Sequence, residues 1–191
     1  MSNERVNSAS VDEPLFPTFL KLAGRRVVLV GAGAVGASKY AGLRASGADL
    51  VVVAPWISPA LRAHGTDGVT LLERPFEPAD LDGAWFVVAA APPEVNRAVA
   101  AAALERRLFV NAVDDPPSAS AYAGAVVRRA GVTLAISTGG GAPALSGLLR
   151  EGLDALLPDD LSRWVDEARA LRARQRAEGV PMAVRRPALL E

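Results

Sequence analysis

The residues best placed by type and spacing to do chemistry begin with Gly31-x-Gly33-x-x-Gly36. They follow the apolar run Arg26-Val-Val-Leu-Val30 and precede a segment of helical pattern, which puts them on a turn from strand to helix. In such a turn Gly31 permits the tight bend, Gly33 lets backbone approach a pyrophosphate, and Gly36 lets helix and strand pack closely. Free N–H groups at the helix start then hold the anion. The chemistry implied is dinucleotide binding; the alternative is a glycine turn kept for packing alone. The usual ribose signal is missing, because the next strand ends in Ala54-Pro55-Trp56 where Asp or Glu is expected. Backbone around Pro55 and Trp56 is left to hold the adenosine half, and Trp56 is either a neighbour of adenine or a core or lid tryptophan.

A second group, Asn111-Ala-Val-Asp114-Asp115-Pro-Pro, closes a later strand. In open α/β sheets ligands bind at that carboxyl edge, where a carboxylate takes a proton from a substrate or meets a cation. The competing reading is an Asp-Pro turn, in which Asp bonds its own backbone. A third group, Ser137-Thr138-Gly139-Gly140-Gly141-Ala-Pro143, opens a helix and presents backbone donors to a carboxylate or phosphate; an ordinary capped helix start is its alternative. Arg128, Arg129 and Arg150 are near enough in sequence to supplement anion binding. His64 reads as a loop residue.

Composition excludes other chemistries. Without cysteine, and with one histidine, the chain has no disulfide, no thiolate nucleophile and no Cys/His cage for a resident metal. The balance of 21 basic and 21 acidic residues gives no basic field, against nucleic acid as the main partner. No apolar run reaches the roughly 18 residues of a membrane span, and the polar start lacks a signal-peptide core, so a cytoplasmic location without membrane contact is expected.

The elements that must position these groups alternate. Strands are expected at Arg26–Val30, Leu50–Ala54, Val69–Leu72, Trp85–Ala90 and Leu108–Ala112, with helices from Val35 to Ser46 and from Val95 to Arg106. The strands are apolar on both faces, as central parallel strands are. The fold class is therefore α/β, a Rossmann-like parallel sheet. Beyond Pro117 a hairpin is expected from Ala125–Val127 and Val132–Ile136, with Arg128 to Gly131 between them. A helix follows with Leu145, Leu148, Leu149, Leu153 and Leu156 at helical spacing, then a second over Leu161–Ala177 burying Trp164, Ala168 and Leu171.

Taken together, Pro14-Leu-Phe-Pro, Gly24 to Gly36, Val53-Ala-Pro55, Asn111-Ala-Val-Asp-Asp and Ser137-Thr-Gly-Gly-Gly-Ala-Pro-Ala-Leu-Ser-Gly-Leu-Leu-Arg-Glu151 resemble the precorrin-2 dehydrogenase module at the N-terminus of siroheme synthases. The resemblance runs in order from about Pro14 to Pro158. It implies oxidation of precorrin-2 to sirohydrochlorin with NAD, and in some members insertion of ferrous iron as a substrate. By position, Asp114 matches the aspartate implicated in both steps. Ala34 and Val35, with Pro55 and Trp56, match cofactor contacts, and Thr138, or its neighbour Ser137, falls where some members carry a phosphorylatable serine. Lys39, Asn111, Ser137, Thr138, Gly139 and Arg150 are the residues expected to bind the carboxylate-bearing tetrapyrrole.

The same resemblance implies a homodimer and a division into a leader over 1–13, an NAD-binding domain over 14–112, a dimerisation segment over 113–147 and a helical part over 148–191. The family's methyltransferase domain has no counterpart in these 191 residues. One departure stands out. Many members carry Thr-Asp-Asp after the fourth strand, where this chain has Ala91-Pro92-Pro93, so two carboxylates are missing from the cofactor edge and iron insertion is the less supported half. The competing function is a non-catalytic, dinucleotide-sensing regulator that dimerises and binds a partner.

Overall fold

The computed structural model describes residues 14–185; the expected leader over 1–13 and the last residues of the expected helical part lie outside them. The chain divides into two compact units, Met1–Ala123 and Gly124–Glu191. The expected dimerisation segment thus begins in the first unit and continues in the second.

The first unit is built on five parallel strands: β1 Arg26–Val30, β2 Asp49–Val53, β3 Thr70–Leu72, β4 Phe86–Ala89 and β5 Val110–Ala112. Their order is β3-β2-β1-β4-β5, so the chain crosses from one half of the sheet to the other between β3 and β4. The carboxyl ends of β1 and β4 flank that crossover, the place where open α/β sheets form a crevice. Helices α1 (Ala34–Ala45), α2 (Pro59–Ala63) and α3 (Pro93–Glu105) supply the connections.

Alternation within each strand explains the continuous apolar runs. Val28, Val30, Val51, Val53, Val87 and Ala89 join one core with Val99, Ala102 and Ala103 of α3. Their neighbours Val27, Leu29, Leu50 and Val52 join another with Ala37 and Tyr40 of α1 and Leu61 of α2. Both faces are covered, so a polar residue replacing one of these large aliphatic side chains would lose about 1.5–3 kcal/mol of burial. The strands start or stop within two residues of the expected bounds.

In the second unit β6 (Ala125–Arg129) and β7 (Val132–Ile136) form an antiparallel hairpin, and α4 (Pro143–Leu156), α5 (Leu161–Ala177) and the short α6 (Met182–Arg185) follow. The strand continues through Arg128 and Arg129, leaving only Ala130 and Gly131 in the turn. Both have positive φ, 50° and 79°, the twist that a two-residue hairpin turn requires. Arg129 fixes α4 to the hairpin by an ion pair with Asp154 at 3.0 Å and a hydrogen bond to the Leu157 carbonyl. The expected buried face of α5 needs correction. Trp164 is 54 % exposed, whereas Leu161 and Gln175 are buried with Ala168 and Leu171 half-buried between them. The helix seats a narrower stripe, and Trp164 lies to one side of it.

Candidate functional site

The glycine loop separates packing from ligand binding. Gly31 has φ +99°, and a Cβ there would lie 2.2 Å from the Ala90 carbonyl oxygen; a Cβ on Gly36 would lie 2.1 Å from the Gly31 oxygen. Helix–strand packing therefore accounts for both. It does not account for Gly33, whose φ of −73° suits any residue and whose added Cβ would meet nothing within 4 Å. Gly33 and its neighbours Ala34 and Val35 line a cleft of about 730 Å³, so a side chain at 33 would occupy room left beside that cleft. No side chain caps α1 at Gly33, which leaves the first-turn N–H groups open to an anion. The residues present fit the pyrophosphate of a dinucleotide.

The cleft runs over the carboxyl ends of β1, β2 and β4. Pro55 and Trp56 form one wall, Pro75 and Phe76 another, and Ala90–Pro92 with Glu94, Val95 and Ala98 a third. Trp56 is 63 % exposed, so it stands at the cleft and not in the core. After β2, Ala54-Pro55-Trp56 brings backbone, apolar surface and the Trp56 indole to the cleft. Glu94, Pro75 and Phe76 are cleft residues that the sequence motifs do not mark, because nothing in their spacing ties them to the glycine loop. The fold brings them there.

The wall carrying Pro75 and Phe76 is held by Asp80, buried in a 3-10 turn over Pro78–Leu81. Burial alone would raise its carboxyl pKa. Hydrogen bonds from Arg74 and the Glu77 N–H, with the charges of Arg74 and Arg26, outweigh that and hold it below the ordinary carboxylate value. Across α1, the Tyr40 hydroxyl donates to the Gly65 carbonyl at 2.6 Å, and burial raises its pKa. His64 ends α2, exposed, as a loop residue should.

Asp114 follows β5, whose Ala112 is in register with Ala89 of β4, so it leaves the sheet at the same edge as the cleft. It is exposed, with φ +56°, a left-handed conformation that Asp tolerates better than most side chains. The loop around it is pinned. Asn111 is buried and its amide donates to the Ala121 carbonyl, while the Val110 N–H donates to the Ser120 hydroxyl. Beside it, one carboxylate oxygen of Asp115 is buried without a hydrogen-bond partner. Neither Asp114 nor Lys39, half-buried on α1, lines the cleft itself.

In the second unit the loop Ser137–Ala142 satisfies much of its own backbone. The Gly139 N–H donates to the Ser137 hydroxyl, the Gly141 N–H to the Thr138 carbonyl and the Ala142 N–H to the Thr138 hydroxyl. Thr138 also shares a 3.0 Å hydrogen bond with the buried Ser146 of α4. These bonds hold the loop ahead of α4; the helix itself starts after Ala142 with no side-chain cap, so neither Ser137 nor Thr138 supplies the cap of the alternative reading. Arg150 pairs with Glu151 at 3.0 Å. Among the described residues no group of three or more His, Asp or Glu side chains is placed to hold a metal ion, and no helix is long and apolar enough to cross a membrane.

Comparison with known proteins bears on the same residues. The chain is 43% identical over 172 residues to siroheme synthase 1 of Aeromonas salmonicida strain A449, a match that covers 89% of this chain and 37% of the relative. Siroheme synthase of Citrobacter koseri matches at 39% identity over 172 residues, 38% of its length. The chain thus spans well under half of the curated relatives it matches. Among solved structures, SirC, a precorrin-2 dehydrogenase, superposes with a TM-score of 0.69 at 22% identity, covering 92% of this chain and 88% of that one, and this shows a shared fold. The family model described as putative NAD(P)-binding matches residues 18–125, from before β1 into the start of β6. That span covers more than half of the chain and holds both the glycine cradle and the crossover of the parallel sheet, and the chain belongs to the putative NAD(P)-binding family.

Proposed function

We propose that the chain oxidises precorrin-2 to sirohydrochlorin with NAD, and that Asp114 is the proton acceptor of the step. The observation that carries this reading is the placement of a strained, exposed carboxylate at the same sheet edge as a dinucleotide cradle. The names of the relatives, siroheme synthases, and of the structural neighbour, a precorrin-2 dehydrogenase, support it.

Bound NAD supplies a hydride acceptor. The chain's part is to hold the pyrophosphate on the N–H groups after Gly33, to turn the apolar cleft walls toward the adenosine, and to receive at the Asp114 carboxylate the proton that leaves the macrocycle with the hydride. Loss of one hydride and one proton accounts for the two-electron oxidation. In the first unit Lys39 is the side chain proposed for a substrate carboxylate, and Asn111 the residue that fixes the Asp114 loop; in the second unit, taken by itself, Ser137, Thr138, Gly139 and Arg150 are the groups proposed for such an anion. Insertion of ferrous iron, as substrate, with Asp114 taking the displaced pyrrole protons, is the second half of the reading. A homodimer in the cytoplasm, formed through the segment over 113–147, completes it.

Purified protein with precorrin-2 and NAD is expected to yield sirohydrochlorin and NADH in equal amounts, and Asp114→Ala to lose turnover while keeping its fold and NAD affinity. Absence of turnover with authentic substrate overturns the dehydrogenase reading; if NAD still binds, the sensing regulator takes its place. Enzyme-dependent uptake of ferrous ion by sirohydrochlorin tests the iron half separately.

A further inference from the structure

We infer that Glu94 does the work of the missing carboxylate after β2: it accepts hydrogen bonds from the adenosine ribose and turns away a 2′-phosphate, so that the cleft selects NAD over NADP. The inference rests on the dinucleotide reading of the cleft and adds the residue that sets its selectivity. In this fold the ribose diol is usually held by an acidic side chain at the end of β2, and a 2′-phosphate by a nearby cation. The chain offers neither there, only Ala54, Pro55 and Trp56.

From the facing wall, the first turn of α3 presents Glu94, and it is the single ionisable side chain lining the cleft among the described residues. Its carboxylate is exposed and takes no part in an ion pair or side-chain hydrogen bond among those residues, so its acceptor capacity is free for a ligand. The backbone that carries it is stiff. Pro92 and Pro93 fix φ at two successive positions, and Asn96, buried in α3, accepts the Ala91 N–H on its Oδ1 at 3.1 Å, tying the turn to the helix.

Cations that would welcome a phosphate are engaged elsewhere. Arg62 is paired with Glu73, and Arg74 with Asp80 and Glu77; no Lys or Arg lines the cleft. A 2′-phosphate in this cleft would meet one carboxylate and no compensating charge. A ribose diol would meet an acceptor that favours it.

Isothermal titration calorimetry of the wild type, Glu94→Gln and Glu94→Arg with NAD and with NADP, near neutral pH, reads this directly and needs no turnover. Glu94 is exposed, so these three proteins and a fourth, Glu94→Asp, are expected to unfold at similar temperatures. Wild type is expected to bind NAD at least tenfold more tightly than NADP. Glu94→Gln should weaken NAD and narrow the ratio, Glu94→Arg should invert it, and Glu94→Asp should restore most of the preference. Equal wild-type affinities, or a ratio that Gln and Arg leave unchanged, overturn the role of Glu94 while leaving the dinucleotide site standing. Binding of neither dinucleotide by the wild type removes the site and this inference together.

Discussion

Glycines 31, 33 and 36 share one motif but answer to different forces, and substitution separates them. Gly33→Val adds atoms where the protein has none within 4 Å and at a φ open to any residue, so unfolding should stay close to wild type. NAD affinity, measured by calorimetry, should fall at least tenfold, because the side chain stands where the backbone receives the pyrophosphate. Gly31→Ala should do the opposite first, costing about 1–3 kcal/mol or more in urea unfolding, since its Cβ meets the Ala90 carbonyl at 2.2 Å. A Gly33 variant as unstable as the Gly31 variant would return the motif to packing alone. Asp114 is the residue where strain and the proposed proton transfer coincide. Relaxing it with Asp114→Gly, which suits φ +56°, should hold or raise stability by up to about 1 kcal/mol while abolishing turnover. An active Asp114→Gly protein would show that the loop, and not the carboxylate, matters.

The elements differ in how plainly the sequence announces them. The strands β1, β2 and β4 are legible because both faces are covered, so after the leading Arg26 and Asp49 their positions are apolar and the run ends sharply at glycine or alanine. The glycine loop and Asp114 are legible as well, since a turn and a strand end fix their places from local sequence. Glu94 is not, because its relation to Pro55 and Trp56 arises only when α3 packs across the crossover, with no residue spacing to record it. Trp164 misleads for a related reason: its size suggests burial, but the α5 stripe is set by Leu161 and Gln175. The 3-10 turn that supports the Phe76 wall makes its own prediction. Asp80 is held below the ordinary carboxylate pKa, so its contribution is complete above about pH 4, where the unfolded chain is also ionised. It is lost as the pH falls through the lowered folded value, because protonation then removes the bonds from Arg74 and Glu77. Asp80→Asn should therefore destabilise the protein by about 1–3 kcal/mol at neutral pH, with the gap to wild type closing in acid. A difference constant from pH 7 to pH 3 in urea titrations would mean that the pair is not what Asp80 contributes.

At the scale of the whole molecule the second unit carries apolar surface that stays exposed among the described residues. Leu148 is 66 % and Leu156 78 % exposed, and Leu145, Leu149 and Leu153 lie between one third and one half exposed along the same stripe of α4. A row of leucines at helical spacing along a fourteen-residue helix is more than scattered surface hydrophobicity, and contiguous patches of this kind mark protein contacts. The hairpin and Arg129 hold the other side of α4 in place, so the stripe is presented on a rigid helix. A second copy of the chain is the occupant expected here, which extends the proposed dimer contact from the segment over 113–147 along α4. Light scattering on the wild-type protein should then give the mass of a dimer at micromolar concentration. Leu148→Glu combined with Leu156→Glu should give half that mass, because two carboxylates facing their symmetry mates add repulsion to lost burial. Since the cleft is built entirely within the first unit, the double variant should still bind NAD with wild-type affinity. A monomeric wild type, or a double variant that remains dimeric, would show that α4 does not form the interface. A monomeric variant that binds NAD but no longer turns over precorrin-2 would show that chemistry needs the paired chains and not the nucleotide site alone.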